Sequence, residues 1–222
     1  MNSQIAKEII NVIRGERKRL ADELTILDRE DHESAWEQWL FKAEPFINDM
    51  CLMVLVAVRH QVERELVLLA ARANAGTTIN GAQYQHNVVF QRDLLRLDGW
   101  KQLSATLNLQ SFTEWTTSME TLRLLANCLK HEPTQGPGKE LLEHLKLPLV
   151  PKGPMIVGYL PLAESRCLRE GLATSVNLPR DADYCTIAEA FVFAADHFLD
   201  GVRRTNSLAQ ISGAVSLSEF AC

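Results

Sequence analysis

Apolar residues recur along most of this chain at intervals of three and four, the period of an α-helix. Ile5, Ile9, Val12, Ile13, Leu20, Leu24 and Leu27 carry that period over a first helix, residues 3 to about 29. Asp31-His32-Glu33-Ser34 reads as the start of a long second helix reaching residue 74, with Pro45 placed to kink or divide it. Inside it, the nine residues from Met50 to Val58 are all apolar, which marks a segment running through the middle of the core. Charge returns at Arg59, His60, Glu63 and Arg64, and Glu63 one turn after Arg59 predicts an intrahelical ion pair. Turn signals at Ala75-Gly76 and Asn80-Gly81 precede shorter helices at 84–97 and near 101–107. Thr134 to Gly138 (TQGPG) reads as a loop, followed by a short helix through Leu141, Leu142 and Leu145. Four prolines and two glycines between Leu147 and Pro161 predict an irregular excursion, a candidate lid or contact loop. Helical pattern resumes at 163–173 and, after the turn at Leu178-Pro179-Arg180-Asp181, in a last long helix at about 182–204. Its Ile187, Phe191, Ala194, Ala195, Phe198 and Val202 share an inner face. The fold class expected is all-α: an up-and-down helical bundle with long central helices, one domain over residues 1–204. Serine-rich, weakly charged residues 205–222 read as a weakly ordered tail.

Phe112 to Pro133 is the stretch that carries chemistry. Ser111 as N-cap and Glu114 three residues later predict a capping box at its start. At about 100° per residue, Glu120, Arg123, Asn127, Lys130 and His131 share an arc of about 100°. Trp115, Leu122, Leu125, Ala126 and Leu129 cover the other side, with Leu124 and Cys128 widening it. The helix is therefore expected to be buried around most of its circumference and to show one narrow polar strip. Pro133 disfavours helical geometry at Glu132, so Lys130 and His131 stand at the C-terminal end. Two readings are open for them: plain charge complementarity with the helix terminus, or part of a site.

Composition narrows the classes. A net charge of −5 on 222 residues argues against sequence-independent binding of duplex DNA, which needs a basic face. A local groove for RNA is compatible with it. Arg14, Arg17, Lys18 and Arg19 cluster on the first helix, but Glu16, Asp22 and Glu23 dilute them into a solvated face. The first residues lack the apolar core of a signal peptide, and no apolar run approaches membrane-spanning length, so no membrane partner is expected. Five cysteines without CxxC spacing behave as small hydrophobes, which suits a reduced, cytoplasmic protein.

Known constellations are mostly missing. No glutamate has a histidine three residues on, and the six histidines form neither HxxxH nor HExxH, so no metal site is written in the chain. GxGxxG, GxxxxGK[ST] and GxSxG do not occur. His197, between Asp196 and Phe198 with Asp200 nearby, reads as a surface histidine on a charged strip, with a carboxylate-oriented histidine as the alternative.

The run Arg123-Leu-Leu-Ala-Asn127-Cys-Leu-Lys130-His131 resembles the signature helix of HEPN-like proteins (higher eukaryotes and prokaryotes nucleotide-binding domain). That resemblance implies an all-α bundle, usually a homodimer, and in many members a metal-independent ribonuclease without cofactor. It maps the catalytic pair onto Arg123 and His131, facing their copies across a dimer cleft, with Asn127 between them; Asn127, Lys130 and Glu120 of the same polar strip are the binding candidates. Seven residues separate Arg123 from His131, more than the family's usual spacing, which puts their Cα atoms about 12 Å apart along the axis. The chemistry is coherent. A histidine poised near neutrality moves the proton of a ribose 2′-OH, and a guanidinium holds the growing phosphate charge. The alternative is the same fold as a non-catalytic interaction module, its strip supplying buried hydrogen bonds between the two copies of a dimer.

Overall fold

A computed structural model describes residues 3–28, 31–39, 43–75, 103–130, 136–147 and 166–217. Among them the chain is an all-α helical bundle with no strand. In order the helices are α1 (Ser3–Asp28), α2 (His32–Gln38), α3 (Glu44–Ala75), α4 (Glu120–Lys130), α5 (Gly136–His144), α6 (Arg166–Ser175) and α7 (Tyr184–Leu217). A further helical turn covers 103–106, a 3-10 turn Leu109–Ser111, and a π-helical turn Trp115–Met119 leads into α4. The expected helix at 84–97, most of the proline-rich excursion and His131 lie outside the described residues.

Local chemistry sets the boundaries. Asp31 caps α2 by accepting from the Ser34 N–H at 3.2 Å. The long second helix of the sequence pattern is covered by two α-helices, α2 ending at Gln38 and α3 beginning at Glu44 with Pro45 in its first turn, and residues 39 and 43 beside them are π-helical. A first turn is where proline is best tolerated, because the first N–H groups of an α-helix have no partner within it. Pro137 repeats the device. The segment read as a loop through Gly138 instead opens α5 at Gly136, since proline's fixed φ suits the first helical position. Helix α6 ends on Asn177 at φ 59°, with the Leu178 N–H reaching back to the Ala173 carbonyl at 2.9 Å. That is the Schellman closure, with asparagine taking the left-handed position. Helix α5 closes the same way, but with Lys146 at φ 56° and the Leu147 N–H on the Leu142 carbonyl at 2.8 Å. Helix α7 continues to Leu217, past the end at about residue 204 that the sequence pattern suggests.

Two compact units divide the contacts: residues 1–59 with 117–194, and residues 60–116 with 195–222. In the first, Ile10 and Ile13 of α1, Cys51, Leu52 and Leu55 of α3, Leu122 and Leu125 of α4, Leu168 and Leu172 of α6, and Ile187 and Phe191 of α7 are buried. Helix α1 is tied to α7 by Arg14 on Glu189 at 2.8 Å and to the residue before α7 by Arg17 on Asp183 at 2.9 Å. The basic cluster of α1 is thus largely spent in ion pairs. Gly171 lets α6 pass close to the chain leaving α5: a Cβ there would stand 3.0 Å from the Leu147 side chain. In the second unit, Trp115 stacks on Phe198 with centroids 5.7 Å apart, and Phe112 meets Phe198 edge-on at 5.7 Å. Val62, Leu66, Leu103, Leu107 and Val202 are buried in that unit as well.

Candidate functional site

Helix α4 is enclosed as its pattern predicts. Leu122, Leu124, Leu125, Ala126 and Cys128 are buried, and so is Thr121. Glu120, Arg123 and Asn127 are only partly covered, one narrow strip along the helix. Burial pushes the Cys128 thiol up to about 11, so it packs as a hydrophobe.

The expected capping box does not form. Ser111 lies in the 3-10 turn and its hydroxyl donates to the Asn108 carbonyl at 2.8 Å. Glu114 instead stands 2.7 Å from His197 Nδ1. Residues 113–114 are already helical and the π turn follows directly, so the helix starts without Ser111 as its cap. His197 is 68% exposed on its side chain and its carboxylate is Glu114, so both sequence readings of it meet in one residue.

At the start of α4 the Arg123 guanidinium donates twice to Glu120, Nε to Oε2 at 2.8 Å and a terminal nitrogen to Oε1 at 2.7 Å. Both side chains are about two-thirds covered (28% and 32% exposed). Burial acts to raise the Glu120 carboxyl, but the Arg123 hydrogen bonds and charge, with charge from His144 and Arg59, hold it below the usual range. Arg59, 2% exposed on α3, and His144, in the last turn of α5, thus act on the same carboxylate. Thr121 fixes His144: its hydroxyl donates to the Thr117 carbonyl at 3.0 Å and lies 2.9 Å from His144 Nε2. Ser118, also buried, donates to the Ser175 carbonyl of α6 at 3.3 Å.

Of the residues singled out in the sequence, the structure joins Glu120 and Arg123 directly and sets Asn127 one turn on. Lys130 is the last residue of α4, and His131 lies outside the described residues. Sequence reasoning missed Arg59 and His144. The signal for Arg59 is a charge abutting nine apolar residues on a buried helix. Glu63 stands 3.2 Å from His60 Nδ1. Among the described residues no group of three or more histidine, cysteine or carboxylate side chains could hold a metal ion. Nor is any helix among them long and apolar enough to cross a membrane.

Compared with protein-family models, curated proteins and solved structures, the chain matches none.

Proposed function

We propose that this chain is a HEPN-like interaction module that self-associates in the cytoplasm, its polar strip serving to hold structure instead of cleaving RNA. One observation carries the reading: the Arg123 guanidinium is committed to Glu120 through a bidentate pair. A guanidinium that steadies a phosphate transition state must offer its fork to the substrate. Here the fork is occupied by a carboxylate on its own helix, and Arg59 and His144 add to the field around that carboxylate. The charge of Arg123 is matched by Glu120, so the guanidinium that the resemblance assigns to phosphate is already engaged.

The ribonuclease reading stays second, favoured by the fact that Arg123 keeps 28% of its side chain open. In that reading phosphate displaces Glu120, and His131 supplies the proton transfer. Mixed single-stranded RNA incubated with the full chain in EDTA separates the two. The module reading expects no cleavage at high protein concentration and no change with His131→Ala. Chelator-resistant cleavage lost in both His131→Ala and Arg123→Ala would overturn it.

A further inference from the structure

Helix α1 carries two heptad rows, one residue out of step. Ala6, Ile10, Ile13, Arg17, Leu20, Leu24 and Leu27 form the first, and its leading three residues are fully buried in the bundle. Ile5, Ile9, Val12, Glu16, Arg19, Glu23 and Ile26 repeat the same alternation of four and three about 100° round the helix. The apolar members of this second row stay open: Ile5, Ile9, Val12 and Ile26 are 48%, 37%, 69% and 63% exposed. Four aliphatic side chains in seam positions of one surface helix exceed the single apolar residues that need no explanation.

We propose that this second row is where two copies of the chain meet, their α1 helices pairing antiparallel. The proposal rests on the self-association in the reading above and supplies the surface for it. Positions 9, 16 and 23 are a-type, and 5, 12, 19 and 26 are d-type. In an antiparallel pair each a-type residue faces a d-type residue of the other helix. One alignment sets opposite charges at its centre and isoleucines at its ends, with each Glu23 held by Arg19 of its own chain. Ile9 faces Ile26 of the partner subunit, Glu16 faces Arg19 of the partner subunit, and Glu23 faces Val12 of the partner subunit. Two-fold symmetry repeats each contact, which places two Glu–Arg pairs at the middle and isoleucine contacts at both ends. A parallel pair would set Glu16 on Glu16, Arg19 on Arg19 and Glu23 on Glu23, like charges in a seam that excludes water.

Further features suit the antiparallel arrangement. Within one chain Arg19 Nε donates to Glu16 at 2.9 Å, and its terminal nitrogens reach both Glu16 and Glu23. The three side chains are therefore already ordered along the seam, so pairing exchanges partners at little entropic cost. Gly15 flanks the row, and nothing lies within 4 Å of where its Cβ would sit, so a second backbone has room to approach. From Ile9 to Ile26 the row runs about 26 Å and gives six facing layers.

Sedimentation of the full chain tests it, the expected mass being twice 25.0 kDa. Glu16→Arg should weaken association about tenfold or more, because it turns both central pairs into like-charge contacts. The exchange Glu16→Arg with Arg19→Glu should restore association between exchanged chains but not between an exchanged and a wild-type chain, where like charges meet at the centre, a difference that the pair within one helix cannot produce. The register is read by mild oxidation in a Cys167→Ser, Cys222→Ser background. Ile9→Cys together with Ile26→Cys should cross-link the copies, and neither substitution alone should. Cross-linking by either single variant overturns the antiparallel arrangement. A dimer indifferent to Glu16→Arg overturns the α1 surface and leaves self-association standing, whereas a monomeric wild-type chain overturns both.

Discussion

Glu120 and Arg123 are where a single residue's surroundings decide between chemistries. Their pair is neither a surface ion pair, worth close to nothing, nor a fully buried one, whose rupture costs several kcal/mol. Arg123→Ala should therefore destabilise the fold by about 1–2 kcal/mol, intermediate between those limits. Glu120→Gln should cost less, because the amide still accepts one hydrogen bond. A double-mutant cycle in urea should then show the double variant costing less than the sum of the two, with a coupling of about 1 kcal/mol. Strict additivity would mean that the two bonds seen at 2.7 and 2.8 Å do not persist in solution. The acid limb of stability gives an independent check. Glu120 titrates below its ordinary 4.5 when folded. Its contribution is complete above that value and is lost as pH falls through the lower folded value. Glu120→Gln should flatten the decline in unfolding free energy below about pH 4.5, and an unchanged decline would assign the acid sensitivity elsewhere. The polar arc of α4 was readable from its period, but the clasp within it was not. Helical spacing places a glutamate and an arginine on one side without saying whether they bind each other or a ligand.

Helix ends separate what short-range pattern specifies from what it leaves open. Amphipathic period located α1, α6 and the start of α7 to within a few residues, because one face of each has to be buried. Proline was ambiguous. In the sequence Pro45 and Pro137 read as interruptions, yet each sits in the first turn of an α-helix, the position where proline is best tolerated. Ser111 carries a capping residue's side chain, but the 3-10 turn that it ends and the π turn after Glu114 change the phase of the backbone. A π turn leaves no mark that a 3.6-residue period can detect. The end of α5 supplies a prediction at this scale. Lys146 holds the left-handed position that Asn177 holds after α6, and a lysine pays a Cβ clash that glycine avoids. Lys146→Gly should raise the unfolding free energy by about 1 kcal/mol and move the melting temperature up by a few degrees. A fall on either measure would mean that the long side chain contributes more than its backbone strain removes.

For the molecule as a whole, the all-α class followed from period and composition, whereas the division into two compact units did not. Each unit is assembled from two distant stretches, and α3 and α7 each contribute residues to both, so no linker or change in composition marks the boundary. Arg59, near the end of its unit's share of α3, joins the field at Glu120 only through folding, which is why no local pattern gave it away. Charge at this scale separates the two proposed readings of the protein. Binding that neutralises phosphates releases counterions, so six to ten such contacts would lose a factor of about 10³–10⁵ between 50 and 200 mM salt. Pairing through α1 combines isoleucine contacts, which salt does not screen, with Glu16–Arg19 pairs enclosed in the seam, which it screens weakly. The dimerisation constant should therefore change by less than about tenfold over the same range, measured by sedimentation at several salt concentrations. The net charge of −5 adds a repulsion between copies that salt relieves, opposing the small loss at the central pairs. A steep salt slope in self-association would point to exposed charges as the glue and away from the apolar ends of α1. A steep slope in RNA binding, with Arg123→Ala lowering affinity alike across sequences, would return the polar strip of α4 to nucleic-acid chemistry.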